Sequence, residues 1–395
     1  MQERRKIQDR RKRETKHGLP EYYTRSHIPA LRDNSTYSEN VTSLSQTVVT
    51  DPDKSIITIL LCAYNEASIL TENLQEIDKY LSDAADKYRW EIVIVNDGSI
   101  DDTGVIAEEF AASRPYVRVI HHPGNRGLGQ ATISGIAASS GDYVVTLDVD
   151  LSYDVNHITL LLDELVNKRV QMVLASPYMS GGTISHVPAL RKYLSIAANK
   201  FLAFFANTRL STITCMVRAF EGDYIRSMDL RAVGMEIMPE VVYKSMILRA
   251  RVREIPAHLD WERQRSAGVA RQSSMRILRH ILATVHAGFF FRPFMFMVLP
   301  GLFVLIISVY ANVWGFIHLG DAYGQRIAAH GSSTLTQALD LAFSEYPHTY
   351  VIGLLTLVIS ILLIGLAIVL LQSKTYFEDL YHLNSSQKYR RQKDA

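Results

Sequence analysis

Cysteine is almost missing: Cys62 and Cys215 are the two in 395 residues. Cys62 lies inside an apolar run, so a disulfide framework and a cysteine-built zinc site are excluded and a reducing compartment is expected. An excess of one charge is missing too. The 42 Lys and Arg stand against 40 Asp and Glu, which gives no case for nucleic acid as a partner. There is no GxxxxGK[ST], and Gly124-Asn125-Arg126-Gly127-Leu128-Gly129 does not fit GxGxxG, so P-loop and dinucleotide readings lose support. The first 50 residues lack the apolar stretch of a secretory signal and read as a flexible tail, taken as 1–54. Its residues 1–16 hold eight basic side chains against three acidic ones, either a solvated arm or a patch that adheres to anionic lipid.

Charge is absent from two further stretches, Pro293 to Gly320 and Tyr346 to Ser373. Each exceeds the roughly 20 residues that cross a bilayer, so spans are expected over about 293–317 and 349–372. Arg271, Arg276, Arg279 and Arg292 precede the first span, and Lys374, Lys388, Arg390, Arg391 and Lys393 follow the second. The loop between them has Arg326 against Asp321, Asp340 and Glu345. By the positive-inside rule both termini face the cytoplasm, the loop faces away, and 373–395 is a basic cytoplasmic tail.

Between tail and spans, β-branched runs alternate with helical spacing. Ile56 to Leu61 reads as a strand, Leu70, Leu74, Ile77 and Leu81 as one face of a helix, and Glu91 to Val95 as the next strand. Helices near 102–113, 128–139 and 155–168 then alternate with strands at Val117–Ile120, Tyr143–Leu147 and Val170–Leu174. This order predicts an α/β domain, a mostly parallel sheet with helices on both faces, whose ligands bind beyond the carboxyl ends of the strands. Those ends carry Ala63-Tyr64-Asn65-Glu66, Asn96-Asp97-Gly98-Ser99-Ile100-Asp101-Asp102-Thr103 and Asp148-Val149-Asp150. In an extended segment Asp148 and Asp150 point to one side, where two hard oxygens share a divalent ion. Asp101 to Thr103 also suit a helix cap. The Gly124–Gly129 segment suits either backbone approach to a phosphate or ribose, or an ordinary turn. His121 and His122 are read as ligands or as plain loop.

These residues resemble glycosyltransferase family 2, and within it the dolichyl-phosphate mannosyltransferase-like enzymes and polyprenyl-phosphate glycosyltransferases. The likeness runs over about 56–276. Ala63-Tyr64-Asn65-Glu66 corresponds to the family's Tyr-Asn-Glu segment, and Asn96-Asp97-Gly98-Ser99 to its Asp-Asp-Gly-Ser turn. Ser176-Pro177-Tyr178-Met179-Ser180-Gly181-Gly182 resembles Gly-Ser-Arg-Tyr-x-x-Gly-Gly, with Pro177 in place of the arginine. Ser152 stands where a Gln often completes the metal shell, and Cys215-Met216 where the family has Ser-Gly. Arg265 to Arg271 keeps the spacing of Arg-x-x-Gly-x-Ser-Lys.

The resemblance implies a GT-A catalytic domain over 55–272, an amphipathic interfacial helix over 273–292 and the hairpin anchor over 293–372. It implies that Ala63, Tyr64, Glu66, Asp97, Val149, Arg265 and Arg271 hold the nucleotide together with Asp148 and Asp150. Asp148, Asp150 and Ser152 would hold Mg²⁺ or Mn²⁺, and Arg191, Ser195 and Arg218 the acceptor phosphate. Arg218 pairing with a carboxylate is the other reading of that position, and Glu240 is read either as orienting ligands from the family's helix facing the acceptor side or as an exposed helix residue. The implied catalytic group is Asp148, Asp150, Arg191 and Arg265. The reaction is transfer of a sugar, with inversion, from a GDP- or UDP-linked donor to a polyisoprenyl phosphate at the cytoplasmic face. Metal assistance and guanidinium forks let two anions meet, and an ionised phosphate acceptor needs no strong base. Apolar stripes at 188–207 (Leu190, Leu194, Ala197, Phe201, Phe205) and 273–291 suit either sheet packing or a bilayer interface. Pro177, Ser152 and Cys215 motivate the alternative of a noncatalytic scaffold. A processive polysaccharide synthase is disfavoured by two spans and no Gln-x-x-Arg-Trp. Sugar, base, lipid length and homo-oligomer formation stay open.

Overall fold

Runs of Ile, Leu and Val become strands covered on both sides, which is why they are continuous rather than alternating. The computed structural model describes residues 54–262, 288–289 and 291–393. In β1 (Ile56–Ala63), Ile57, Ile59, Leu60 and Leu61 are fully buried. β2 (Arg89–Asn96) and β4 (Tyr143–Asp148) flank β1 in parallel, and β3 (Val117–His121) lies parallel beyond β2. The seven-stranded order is β3-β2-β1-β4-β7-β5-β8, with β5 at Met172–Ser176, β7 at Arg218–Glu221 and β8 at Val252–Pro256. β7 alone in this sheet runs antiparallel to its neighbours. A separate parallel pair joins β6 (Thr183–Ser185) to β9 (His258–Asp260).

The helices expected from sequence form where they were expected: α1 (Ala67–Asp83), α2 (Thr103–Ala112), α3 (Leu128–Ala138) and α4 (His157–Lys168), and the 188–207 stripe falls on α5 (Ala189–Ala206). Two more helices follow, α6 (Gly222–Ser227) and α7 (Ile237–Ile247). Leu70, Leu74, Ile77 and Leu81 of α1 are at most 2% exposed and pack with α2 and α4 on one face of the sheet. α3, α5 and α7 close the other face. Burying each such side chain contributes about 1.5–3 kcal/mol. The stripe on α5 divides: Leu202, Phe205 and Ala206 enter the core, whereas Leu190, Tyr193 and Phe204 stay exposed.

Two later helices are long and apolar enough to cross a membrane: α8 (Met295–His330) and, after the short capped α9 (Leu335–Glu345), α10 (Pro347–Lys393). At 36 and 47 residues they run about 54 and 70 Å, well beyond the roughly 30 Å of a hydrocarbon core. Small residues line their seam at sevenfold spacing, Gly301, Ser308, Gly315 and Ala322 on α8 against Gly353, Ser360 and Ala367 on α10. That spacing lets backbones approach, and Ser308 Oγ and Asn312 Nδ2 donate to Gly353 O at 3.2 and 3.0 Å.

Residues 373–395, read from sequence as a tail, are helical as far as Lys393, because neither proline nor glycine follows Gly365 in α10. This extension docks on the α/β domain. Tyr243 Oη donates to Glu378 at 3.0 Å, Lys388 Nζ to Arg226 O at 2.9 Å and Tyr389 Oη to Glu221 at 2.7 Å. The N-terminal tail and nearly all of the expected interfacial helix over 273–292 fall outside the described residues.

Candidate active site

The ends of β1 and β2 are laced together by side chains that the motifs supply. Asn65, at φ +55, accepts from Ile100 N at 2.9 Å and donates its own N–H to Ser99 Oγ at 3.0 Å. Glu66 N donates to Thr103 Oγ1 at 2.8 Å. Asp101 accepts from Thr103 N at 3.1 Å, Thr103 Oγ1 at 2.5 Å and Ala67 N at 3.2 Å. The cap expected of Asp101 to Thr103 is thus the work of Asp101, while Asp102 makes no side-chain capping bond. Ala63 is buried, Glu66 half-buried, and Tyr64 stands 42% exposed at the rim, available to a ring.

Asp97 is turned inward. It is 3% exposed, and its carboxylate accepts from Arg126 N at 2.9 Å, Gly127 N at 2.8 Å and the His122 ring at 2.7 Å. Its observed role is to shape the 122–127 loop, the place where a nucleoside contact was expected. His122, with its other nitrogen 3.0 Å from Ser134 Oγ, is a buried organiser, and His121 lies 3.0 Å from Asn96 Nδ2 and 2.8 Å from Glu108. Neither is plain loop. The glycines there make room for protein backbone: a Cβ on Gly127 would meet Val233 O at 2.5 Å, and one on Gly129 would meet Ala232 O at 2.4 Å. Glu240 holds that partner loop, accepting from Arg231 N at 3.0 Å and Ala232 N at 2.9 Å.

β4 ends on Asp148, in register with Cys62. The chain then turns, Val149 goes 6% exposed into the core and Leu151 takes φ +47, a rare conformation for leucine. Alternation along an extended strand therefore does not describe Asp148 and Asp150; a tight turn leaves both half-buried at the rim instead. Asp150 Oδ1 accepts from Ser152 N at 3.0 Å. The negative field is felt nearby. Burial pushes the Cys62 thiol up to about 12 and Cys215 up to about 11, and the Asp148 charge adds to both. Burial likewise raises the Tyr153 phenol, with Cys215 and then Asp148 adding. Hard carboxylate oxygens in such a field fit a Mg²⁺- or Mn²⁺-class ion.

The segment 258–262 ties this turn to α5. Asp260 N donates to Ser152 O at 2.9 Å, and the next residue, Trp261, lies under the Arg191 guanidinium at 5.3 Å. His186 Nδ1 sits 2.6 Å from Asp260 Oδ1, which holds the Asp260 carboxyl below its usual range. His186, Asp260 and Glu262 offer three donor atoms within 4.8 Å of one another. Sequence reasoning missed this trio; the i, i+2 spacing of His258, Asp260 and Glu262, which begins on β9 and runs past its end, was the available signal. Ser195 Oγ accepts from Tyr178 Oη at 2.6 Å, one turn of α5 beyond Arg191. Ser152 is buried, at 6% exposed.

Arg218 is a correction. It is 1% exposed and donates to Cys215 O at 2.7 Å, Met238 O at 3.0 Å and Ile213 O at 2.6 Å, so it neither reaches an acceptor phosphate nor pairs with a carboxylate. Burial pulls its pKa down to about 10, still protonated at neutral pH. Arg265 and Arg271 lie outside the described residues.

Residues 58–231, which hold all of this except the 232–233 loop, α7 and the 258–262 segment, match Glycosyl transferase family 2. Dolichol-phosphate mannosyltransferase of Pyrococcus furiosus is 27% identical over 228 residues, 57% of this chain and 62% of that one. A dolichyl-phosphate beta-glucosyltransferase of Trichomonas vaginalis is 26% identical over 186 residues, 45% of this chain and 55% of that one. The chain thus spans less than two thirds of either relative. A mannosyltransferase from Pyrobaculum calidifontis, solved with GDP-Man and Mn²⁺, covers 90% of this chain and 94% of its own at 14% identity, with a TM-score of 0.39.

Proposed function

We propose that the chain transfers a sugar, with inversion, from a UDP- or GDP-linked donor to a polyisoprenyl phosphate at the cytoplasmic face of a membrane. The observation that carries this reading is the 258–262 bridge, one end bonded to the turn after Asp150 and the other stacked under Arg191. A donor diphosphate at the aspartates and an acceptor phosphate at Arg191 then meet across one short segment. Relatives named for transfer of mannose and of glucose to dolichyl phosphate support the acceptor class and leave the sugar open.

Asp148 and Asp150 would hold the divalent ion, which when bound neutralises charge on the departing diphosphate. Tyr64 offers a face to the base at the rim. Arg191, kept flat by Trp261, orients the acceptor so that a phosphate oxygen attacks the anomeric carbon from the side opposite the leaving nucleoside diphosphate. The docked extension of α10 supports placing the catalytic domain on the same side of the membrane as Lys374, Lys388, Arg390, Arg391 and Lys393, the side that the positive-inside rule makes cytoplasmic.

The test incubates purified full chain with Mg²⁺ or Mn²⁺, polyprenyl phosphate and a panel of UDP- and GDP-sugars. Lipid-linked monosaccharide is expected, with loss of about 10²-fold or more in Asp150→Asn at unchanged thermal stability. Full turnover in that variant, or in a chelator, would overturn the assignment. Nucleotide-sugar binding without turnover would make the chain a scaffold.

A further inference from the structure

At the C-terminal end of α5, a cavity of about 430 Å³ opens where α5, α7, the approach to α8 and the extension of α10 converge. Phe205, Tyr243 and Phe291 give it aromatic walls, and Arg249, Arg292 and Lys374 bring positive charge. Two of these cations mark a level: Arg292 immediately precedes the charge-free stretch of α8, and Lys374 immediately follows that of α10. The cavity therefore sits where acyl chains end and headgroups begin. Asn207, on its wall, lies about 24 Å along α5 from Arg191, too far for the two to share one phosphate.

We propose that this cavity binds the headgroup phosphate of an anionic membrane phospholipid, as a second lipid site separate from the acceptor site. The proposal rests on the hairpin crossing a bilayer and is independent of which sugar is moved. Lys374 is committed to Glu378, which also accepts from Tyr243. Arg249 and Arg292 have no carboxylate within ion-pair distance among the described residues, and they supply the two forks that a phosphate needs. The aromatic walls suit the glycerol and first methylenes, and the volume lies within the range of small-molecule sites. Because the walls belong to both the catalytic domain and the hairpin, a lipid here braces their junction.

The test titrates detergent-solubilised full chain with dihexanoyl phosphatidylglycerol, dihexanoyl phosphatidylcholine and inorganic phosphate, following binding by calorimetry and bound lipid by native mass spectrometry. Phosphatidylglycerol is expected to bind best. The double variant Arg249→Gln, Arg292→Gln should weaken it about tenfold or more, whereas Lys168→Gln on the surface of α4 should leave it unchanged. Asp379→Asn removes an acid from the same cavity and should tighten binding several-fold, a gain that a misfolded protein cannot show. Inorganic phosphate binding as well as the lipid, parental affinity in the double arginine variant, or weaker binding in Asp379→Asn would each overturn the proposal. Sugar transfer plays no part in the readout, so failure of the functional reading above would show separately.

Discussion

Replacing Arg218 by glutamine separates a staple from a ligand. The guanidinium supplies donors to three carbonyls, at 213, 215 and 238, from three directions in a site 1% exposed. Glutamine is shorter and is expected to leave all three without this donor. Stranding buried acceptors costs about 1–3 kcal/mol each, or about 6 in all at the midpoint. Against this, the charge no longer has to be kept out of water: a fall from 12.5 to about 10 corresponds to a recovery of about 3 kcal/mol. The net loss is about 3 kcal/mol, equivalent to about 6–12 °C for a domain of this size. Thermal unfolding of the full chain in detergent, followed by tryptophan fluorescence, reads the shift directly, and the KM for polyprenyl phosphate on the folded fraction should stay within about twofold. Parental stability with a tenfold higher KM for the lipid would refute the reasoning and return Arg218 to the acceptor site.

Trp261→Ala takes away the surface under Arg191 and should raise the KM for lipid phosphate about two- to fivefold with kcat nearly unchanged; an effect on the nucleotide-sugar KM alone would contradict it. Gly129→Ala places a methyl 2.4 Å from Ala232 O and should cost about 1–3 kcal/mol of stability, read as a lower Tm. Asp101→Ala should lower Tm at neutral pH by untying α1 from the 97–103 loop. Burial works against the Asp101 charge, but bonds from Thr103 and Ala67 outweigh it and hold the carboxyl below 3.8. The stabilisation is therefore complete above that value and lost as pH falls through the lower folded one. The Tm difference between parent and variant should close under acid below pH 3.8, and a difference constant with pH would exclude an ionised Asp101.

Much of the scaffold was legible because its signals are local. Ile57 to Leu61 could only be a strand covered on both faces, and the three- and four-residue spacing of Leu70 to Leu81 could only be a helix packed on it. The acidic rim was legible for the same reason, since strand ends are set by the strands. What could not be read was where side chains turn once strands stop. Val149 looked like a spacer in an alternating pair, yet its burial drives a turn. Asp97 and Arg218 carry the charges of ligands, but whether a charge faces a cleft or a backbone carbonyl depends on loops distant in sequence, here 122–127 and 213–215. Gly127 and Gly129 answer to Ala232 and Val233, about a hundred residues away. The His186, Asp260 and Glu262 trio gathers two chain segments through the pairing of β6 and β9, which three-residue strands announce too weakly.

The unbroken α10 has a mechanical corollary. With no joint between Gly365 and Lys393, and with Tyr243, Arg226 and Glu221 fastened to its C-terminal half, the α/β domain rides on a mast whose other half is long and apolar enough to cross a membrane. The domain's distance from that apolar half is set by the mast and not by a slack tether. If that half spans a bilayer as proposed, a thinner or thicker membrane that leans the mast would swing the sheet with it, and membrane thickness would become an input to the proposed transfer.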